Sequence, residues 1–334
     1  MRFFRRFFLL SGITFFILTF MSKKTRSDLL LLATAFIWGI SYVVQKEGGA
    51  IGTFTFTGTR MMVGVLVLTP LVHLSEKGSL VSGPRRVRQG SPEAAAPAYS
   101  RKTLLFGGIF CGCFMFLGTI LQQAGLAYIP AGKAGFITAT YTLIIPLLSV
   151  LMGMKIRKIS WFCAVLCMGG LYLLCMTGGT SSALGLGDLL VLIGAFCHSV
   201  HFLAVTRYAR QVNNMRLCRL QCLTCGVLSL LFAPLEHPEF AAILGAWRSI
   251  LYVGVCSTAI ARVMQMIGQK HTDTPHASII LSLESVFSML AGVVFLNESM
   301  TFIQYFGCAL IFLATLLPNL SFGEKGAPQN EQTP

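Results

Sequence analysis

Residues 28–46 read DLLLLATAFIWGISYVVQK, and residues 188–205 read DLLVLIGAFCHSVHFLAV. Each opens on an aspartate and then stays apolar for about the 20 residues that cross a bilayer as a helix. At an offset of 160, Asp28 falls on Asp188 and Phe36 on Phe196, while Trp38 falls on His198 and Ser41 on His201. An offset of 161 sets Arg60 on Gln221. One of 143 sets Gln122 on Gln265, Gly125 on Gly268, Ala134 on Ala277 and Tyr141 on Glu284. The drop from 160 to 143 fits a long loop, residues 74–102, whose counterpart in the second half is shorter. The chain reads as one unit written twice.

Composition says where such a unit lives. Hydrophobic residues make up 54% of the 334, charged residues 11%, and mean hydropathy is +0.72. A soluble domain carries roughly a quarter charged residues, so this chain could not cover its own surface in water. The class is an all-α polytopic membrane protein. A net charge of +14 would invite nucleic acid as a partner, but the cations sit in short clusters between apolar runs, as membrane orientation requires. The expected partners are therefore the bilayer and a small-molecule metabolite, with no nucleic acid. Most of the eleven cysteines lie inside apolar segments, where free cysteine behaves as a small hydrophobe. Cys218, Cys222 and Cys225 share a helix face but lack a second ligand pair at a metal-site spacing. No metal and no cofactor is expected.

Apolar length and breaks predict ten spans: 29–46, 54–73, 103–126, 132–153 and 158–177, then 188–206, 216–234, 249–268, 276–296 and 301–318. With the segment before the first span placed inside, 21 of the 26 lysines and arginines fall inside and 3 outside. That bias fits both termini in the cytoplasm of a plasma-membrane protein. Five spans per unit is an odd number, so the two units must enter the membrane from opposite sides. The corner after span four carries Lys155, Arg157 and Lys158, whereas its copy after span nine reads Asn297, Glu298, Ser299. Ten transmembrane helices as two inverted five-helix repeats is the expected architecture, and secondary transporters use it. The domain reading is an N-terminal extension over 1–21 (an upstream start or an interfacial segment), a first repeat over 22–177, a second over 178–320, and a disordered tail over 321–334.

Five stretches carry a family resemblance: FIWGISYVVQK (36–46), FTFTGTR (54–60), AGKAGFITATYTLIIPLLSVLMGMKIRKISW (131–161), GDLLVLIGAFCHSVHFLAVTRYA (187–209) and ASIILSLESVFSMLAGVVFLNESMTFIQYFG (277–307). In these the chain resembles the EamA-like branch of the drug/metabolite transporter superfamily over residues 22 to 320. The last stretch is similar to the family's Leu-Glu-Pro-Val step followed by an apolar run and a Gly-Glu turn. Here Ser285 stands in the proline position and Asn297 in the glycine position. The resemblance implies a ten-helix carrier that moves small organic metabolites, often outward, by alternating access.

Polar residues inside spans are the candidate cavity set. Glu284 lies mid-span, where an ionised carboxylate is costly unless paired, protonated or hydrated. It is the candidate for proton coupling, against the plainer reading of a packing carboxyl. Arg60, six residues into its span, must pair, bind an anion or face a wet cavity. Arg262, in the slot of Thr119, is expected to snorkel or to pair internally. His198 and His201, at i and i+3, share one face and are expected to line a pathway rather than hold a metal. Trp38, Ser41, Thr138, Tyr141, Ser278 and Ser288 complete the candidate lining, Thr142 and Ser282 add polar surface, and Gln122 and Gln265 are expected to hydrogen-bond between the repeats. Pro146 is expected to kink span four, giving it a hinge that span nine lacks.

No GxxxxGK[ST] phosphate loop and no GxSxG, HExxH or paired-aspartate signature occurs. The expected activity is thus secondary transport, driven by an ion or substrate gradient, rather than ATP hydrolysis or enzymatic turnover. An intramembrane enzyme built on His198, His201 and Glu284, or a lipid-carrier flippase on the same scaffold, are the alternatives.

Overall fold

The computed structural model describes residues 22–76, 100–129, 131–176, 185–296 and 300–320. The 1–21 extension, most of the 74–102 loop, the Asn297–Ser299 corner and the 321–334 tail lie outside the described residues. Each predicted span overlaps helix among the described residues. In the first half these are α1 (Lys23–Gly48), α2 (Thr53–Glu76), α3 (Arg101–Gly125), the broken helix α4 (Ala131–Thr138 and Tyr141–Leu151) and α5 (Lys158–Met176). In the second they are α6 (Leu186–Tyr208), α7 (Asn214–Phe232), the composite α8 (Trp247–Tyr252, a π-helical stretch Val253–Ala261, and Arg262–Gln269), α9 (Thr274–Leu296) and α10 (Phe302–Leu320). Among the described residues, seven helices are long and apolar enough to cross a membrane, and the apolar parts of α5 and α10 are shorter. Large side chains such as Phe106, Phe162, Leu231 and Phe306 are more than half exposed. A surface of that kind suits acyl chains and would aggregate in water.

Helix starts follow from local chemistry. The Ser22 hydroxyl accepts from the Thr25 amide and starts α1. Asn213 Oδ1 accepts from the Met215 and Arg216 amides and starts α7. The same two amide positions in α2, Phe54 and Thr55, follow Gly52, which has no side chain and a φ of 103°. Here the carboxylate of Glu236, just past α7, caps instead, accepting from both amides at 2.8 Å and from the Thr55 hydroxyl at 2.8 Å. Inside the spans, hydroxyls turn back on their own helix: Ser41 donates to the Ile37 carbonyl, Ser149 to Ile145 and Ser199 to Ala195. That is how small polar residues ride in apolar helices.

Packing repeats across the two halves. A Cβ on Gly125 would lie 2.9 Å from the Gly187 carbonyl oxygen and 2.4 Å from Val191 Cγ2, locking α3 close to α6. A Cβ on Gly268 would meet the Ser27 carbonyl and Leu31, locking α8 to α1 in the same way. Ser27 and Leu31 occupy the slots of Gly187 and Val191 at the offset of 160. Likewise Gly112 of α3 approaches Gln221 and Thr224 of α7, while Gly254 of α8 approaches Arg60 and Val63 of α2. The glycine pair Gly112/Gly254 is offset by 142, whereas Gln122/Gln265 is offset by 143. The π stretch Val253–Ala261 contains Gly254 and ends before Gln265, and it takes up the extra residue, as a π turn does. α2 packs on α7 and α5 on α10, so each of these pairs joins a helix to its own copy.

The break in α4 falls at Ala139–Thr140, with the Thr142 and Leu143 amides bonding three residues back. Pro146, inside the second piece, has no amide hydrogen and cannot bond the Thr142 carbonyl. The interruption therefore sits one turn upstream of the proline, placing Tyr141 at the break. α9, with Ser285 where the family pattern has proline, is unbroken.

An ion pair and a related histidine–aspartate contact tie the halves at matching places. Lys133 Nζ lies 2.8 and 3.0 Å from the two carboxylate oxygens of Asp188, and both side chains are buried. At the matching slots, His276 Nε2 lies 3.7 Å from Asp28, whose carboxylate also accepts from the Thr272 hydroxyl at 3.1 Å.

Candidate functional site

Helices α1, α2, α3, α4, α6, α8 and α9 surround a cavity of ≈ 90 Å³, room for a small solute or several waters. Seven of the ten predicted lining residues are on its wall: Trp38, Arg60, Thr138, Tyr141, His198, His201 and Glu284. Three are not. Ser41 bonds the Ile37 carbonyl and Ser278 the Pro275 carbonyl, both fully buried, and Ser288 lies where α9 closes on Gly39.

α1 contributes Trp38, Tyr42 and Gln45, spaced i, i+4, i+7 along one face. The Trp38 indole N–H donates to the Ser257 carbonyl at 3.2 Å. Ser257 lies in the π stretch, and π turns often mark functional positions. Gln122 of α3 donates to Tyr42 Oη at 3.0 Å and to Thr138 Oγ1 at 2.9 Å. It therefore joins three helices of the first half, and among the described residues no hydrogen bond links it to Gln265, its expected partner. Both glutamines face the cavity.

Glu284 is 4% exposed, and Tyr141 Oη donates to its Oε1 at 3.5 Å. Tyr42 is its second hydroxyl partner. His201 Nε2 bonds Gln221 Oε1 at 2.9 Å, and Gln221 stands in the slot of Arg60. His198 packs its ring on Gly118, where a Cβ would come within 2.8 Å of Nδ1. Among the described residues, no three His, Cys, Asp or Glu side chains converge as metal ligands.

Both arginines are on the cavity wall. Arg262, expected to snorkel or to pair internally, lines the cavity with its guanidinium 5.6 Å from the Trp38 ring centroid, and no ion pair to it occurs among the described residues. Arg60 lies 5.4 Å from the Phe56 ring centroid, and no ion pair joins it to Glu284. The Nε atoms of both are buried without a hydrogen-bond partner. Arg262 is within electrostatic reach of both Arg60 and Glu284. Tyr42, Gln45, Thr119, Phe202, Ser257 and Leu281 are wall residues that sequence reasoning passed over. Helical spacing from Trp38 would have found Tyr42 and Gln45, and spacing from Gln265 would have found Arg262, three residues before it.

Comparison with known proteins agrees with this geometry. The EamA-like transporter family matches the chain twice, over residues 25–176 and 185–320. A protein of Archaeoglobus fulgidus named as an uncharacterized transporter is 29% identical over 302 residues, covering 89% of this chain and 87% of that protein. The threonine/homoserine exporter RhtA of Escherichia coli K12 is 24% identical over 292 residues, covering 86% and 89%. One solved crystal structure superposes with a TM-score of 0.70 over 89% of this chain and 97% of that chain at 21% identity, a likeness of fold alone. With two matched repeats packed around one polar cavity, the chain belongs to the EamA-like transporter family, a membrane transporter family.

Proposed function

We propose that the protein is a secondary transporter that exports small organic metabolites across the plasma membrane by alternating access around the central cavity. The observation that carries this reading is the cavity itself, walled by Arg60, Gln122 and Tyr141 from one half and by His198, Arg262 and Glu284 from the other. All ten helices cross the bilayer in this reading, the halves are inverted, and both termini face the cytoplasm. The lysine- and arginine-rich corner after α4 then lies inside and the corner after α9 outside. Outward movement of an amino-acid-sized solute is supported by the name of the E. coli relative, a threonine/homoserine exporter.

Glu284 is the coupling candidate: it is the one carboxyl on the described wall, and tyrosine hydroxyls hold it. Purified protein in liposomes, loaded in turn with labelled L-threonine, L-glutamate, putrescine, glucose and uridine, tests the whole reading by counterflow. At least one solute should exchange well above protein-free liposomes. Exchange of none would remove the transport assignment. An imposed pH gradient should drive net uptake by the native protein and fail in Glu284→Gln. Equal rates with and without the gradient would remove proton coupling alone.

A further inference from the structure

Besides the imidazoles of His198 and His201, three side chains on the described wall can carry full charge: Arg60, Arg262 and Glu284. Guanidinium groups keep their charge in proteins, and Arg60 is only 4% exposed. Neither arginine donates a hydrogen bond to a protein acceptor among the described residues, and the Nε of each is buried without one. Each instead rests against an aromatic ring, Phe56 or Trp38. Ring contact orients a guanidinium plane, but it supplies less than a carboxylate would and leaves the buried Nε without an acceptor.

Glu284 does not fill that role. Its carboxylate is engaged by Tyr141 and Tyr42, and no ion pair joins it to either arginine. Two guanidinium cations in a low-dielectric cavity, neither bonded to a protein acceptor among the described residues, gain most from an anionic occupant. We infer that the cavity is built for a small solute with two anionic groups, one for each guanidinium, and that Glu284 receives an amine where the solute has one. Acidic amino acids carry that pattern of charge, and linear dicarboxylates carry its anionic part. The inference rests on the transport reading above but narrows it, since threonine and homoserine carry a single carboxylate.

Binding is measured separately from flux, so the two readings fail separately. Purified protein in detergent is melted at fixed ionic strength with L-glutamate, succinate, L-threonine or putrescine. L-glutamate or succinate should stabilise it at concentrations at least tenfold below those needed for L-threonine. Arg60→Gln and Arg262→Gln should each weaken glutamate binding about tenfold or more, and Arg262→Lys, which keeps the charge, should weaken it less. Glutamate binding better than succinate, with that preference lost in Glu284→Gln, places the amine on Glu284. Equal protection by threonine, preference for putrescine, protection by none of the four, or glutamate binding unchanged in both glutamine variants would overturn the inference, even where counterflow shows transport. A variant counts only if it elutes as a single species with the native profile. If one arginine variant fails that check, the other decides.

Discussion

The two halves of the molecule agree where backbones touch and disagree where side chains face the cavity. Gly125 and Gly268 allow the same close approach, and Gly112 and Gly254 seat on matching carbonyls. Yet Arg60 answers to Gln221, Thr119 to Arg262, Tyr141 to Glu284 and Trp38 to His198. A two-fold scaffold presents each slot twice around one cavity. A charge written into both copies would meet its own like across the axis, and like charges at close range destabilise. Each charged slot is therefore filled once, and its copy is neutral. Scaffold is shared, whereas chemistry is divided.

Structural fastenings show the same divergence, and that gives ways to break the comparison. The largest effect is expected at the Lys133–Asp188 pair, buried at 2.8 Å. Lys133→Met leaves a buried carboxylate with no cation and only the Gly185 amide as donor, and should lower stability by about 3–5 kcal/mol, read as a denaturant midpoint in detergent. Lys133→Met with Asp188→Leu should recover part of that loss. His276→Leu at the matching slot should cost about 1 kcal/mol or less, because the pair is 3.7 Å apart and Asp28 is partly exposed and keeps the Thr272 hydroxyl. Equal losses at both slots would show that the halves are more alike than their distances imply.

Next in size are the close approaches. Gly125→Ala and Gly268→Ala should each cost about 1–3 kcal/mol, by nearly equal amounts, since both would push a Cβ against a carbonyl and a side chain across the interface. A large inequality in melting temperature would mean that one contact is looser than its copy.

Comparable in size are the caps. Glu236→Ala removes three hydrogen bonds to a charged acceptor at the start of α2, and a loss of about 1.5–3 kcal/mol is expected. Asn213→Ala removes a neutral cap at the matching start of α7 and should cost about 0.5–2 kcal/mol. Amide exchange at Phe54 and Thr55 should rise in the first variant, and at Met215 and Arg216 in the second.

How much of this could be read from the chain depends on whether a residue can satisfy itself. The predicted span 29–46 begins six residues inside α1, because hydropathy marks the lipid-compatible run while hydrogen bonding continues into the polar flank. Trp38, Arg60, His198, His201 and Glu284 are too large or too polar to be hidden by their own helix, and they reach the cavity. Ser41 and Ser278 are small hydroxyls that bond their own helix carbonyls, so their polarity does not tell which way they face.

By itself, then, the amino-acid sequence determined the membrane setting, the helical segments and the duplication. Each is written in composition or in periodicity, which local physics converts directly into helices that bury apolar length. Only the tertiary structure decided that Arg262 faces Trp38 and the cavity, that Glu236 caps a helix 181 residues away from it in the chain, and that a π turn shifts the register of α8 by one. Those facts depend on which face of one helix meets another. A single inserted residue rotates everything beyond it by about 100°, and packing between helices, not the order of residues, chooses where that rotation is absorbed.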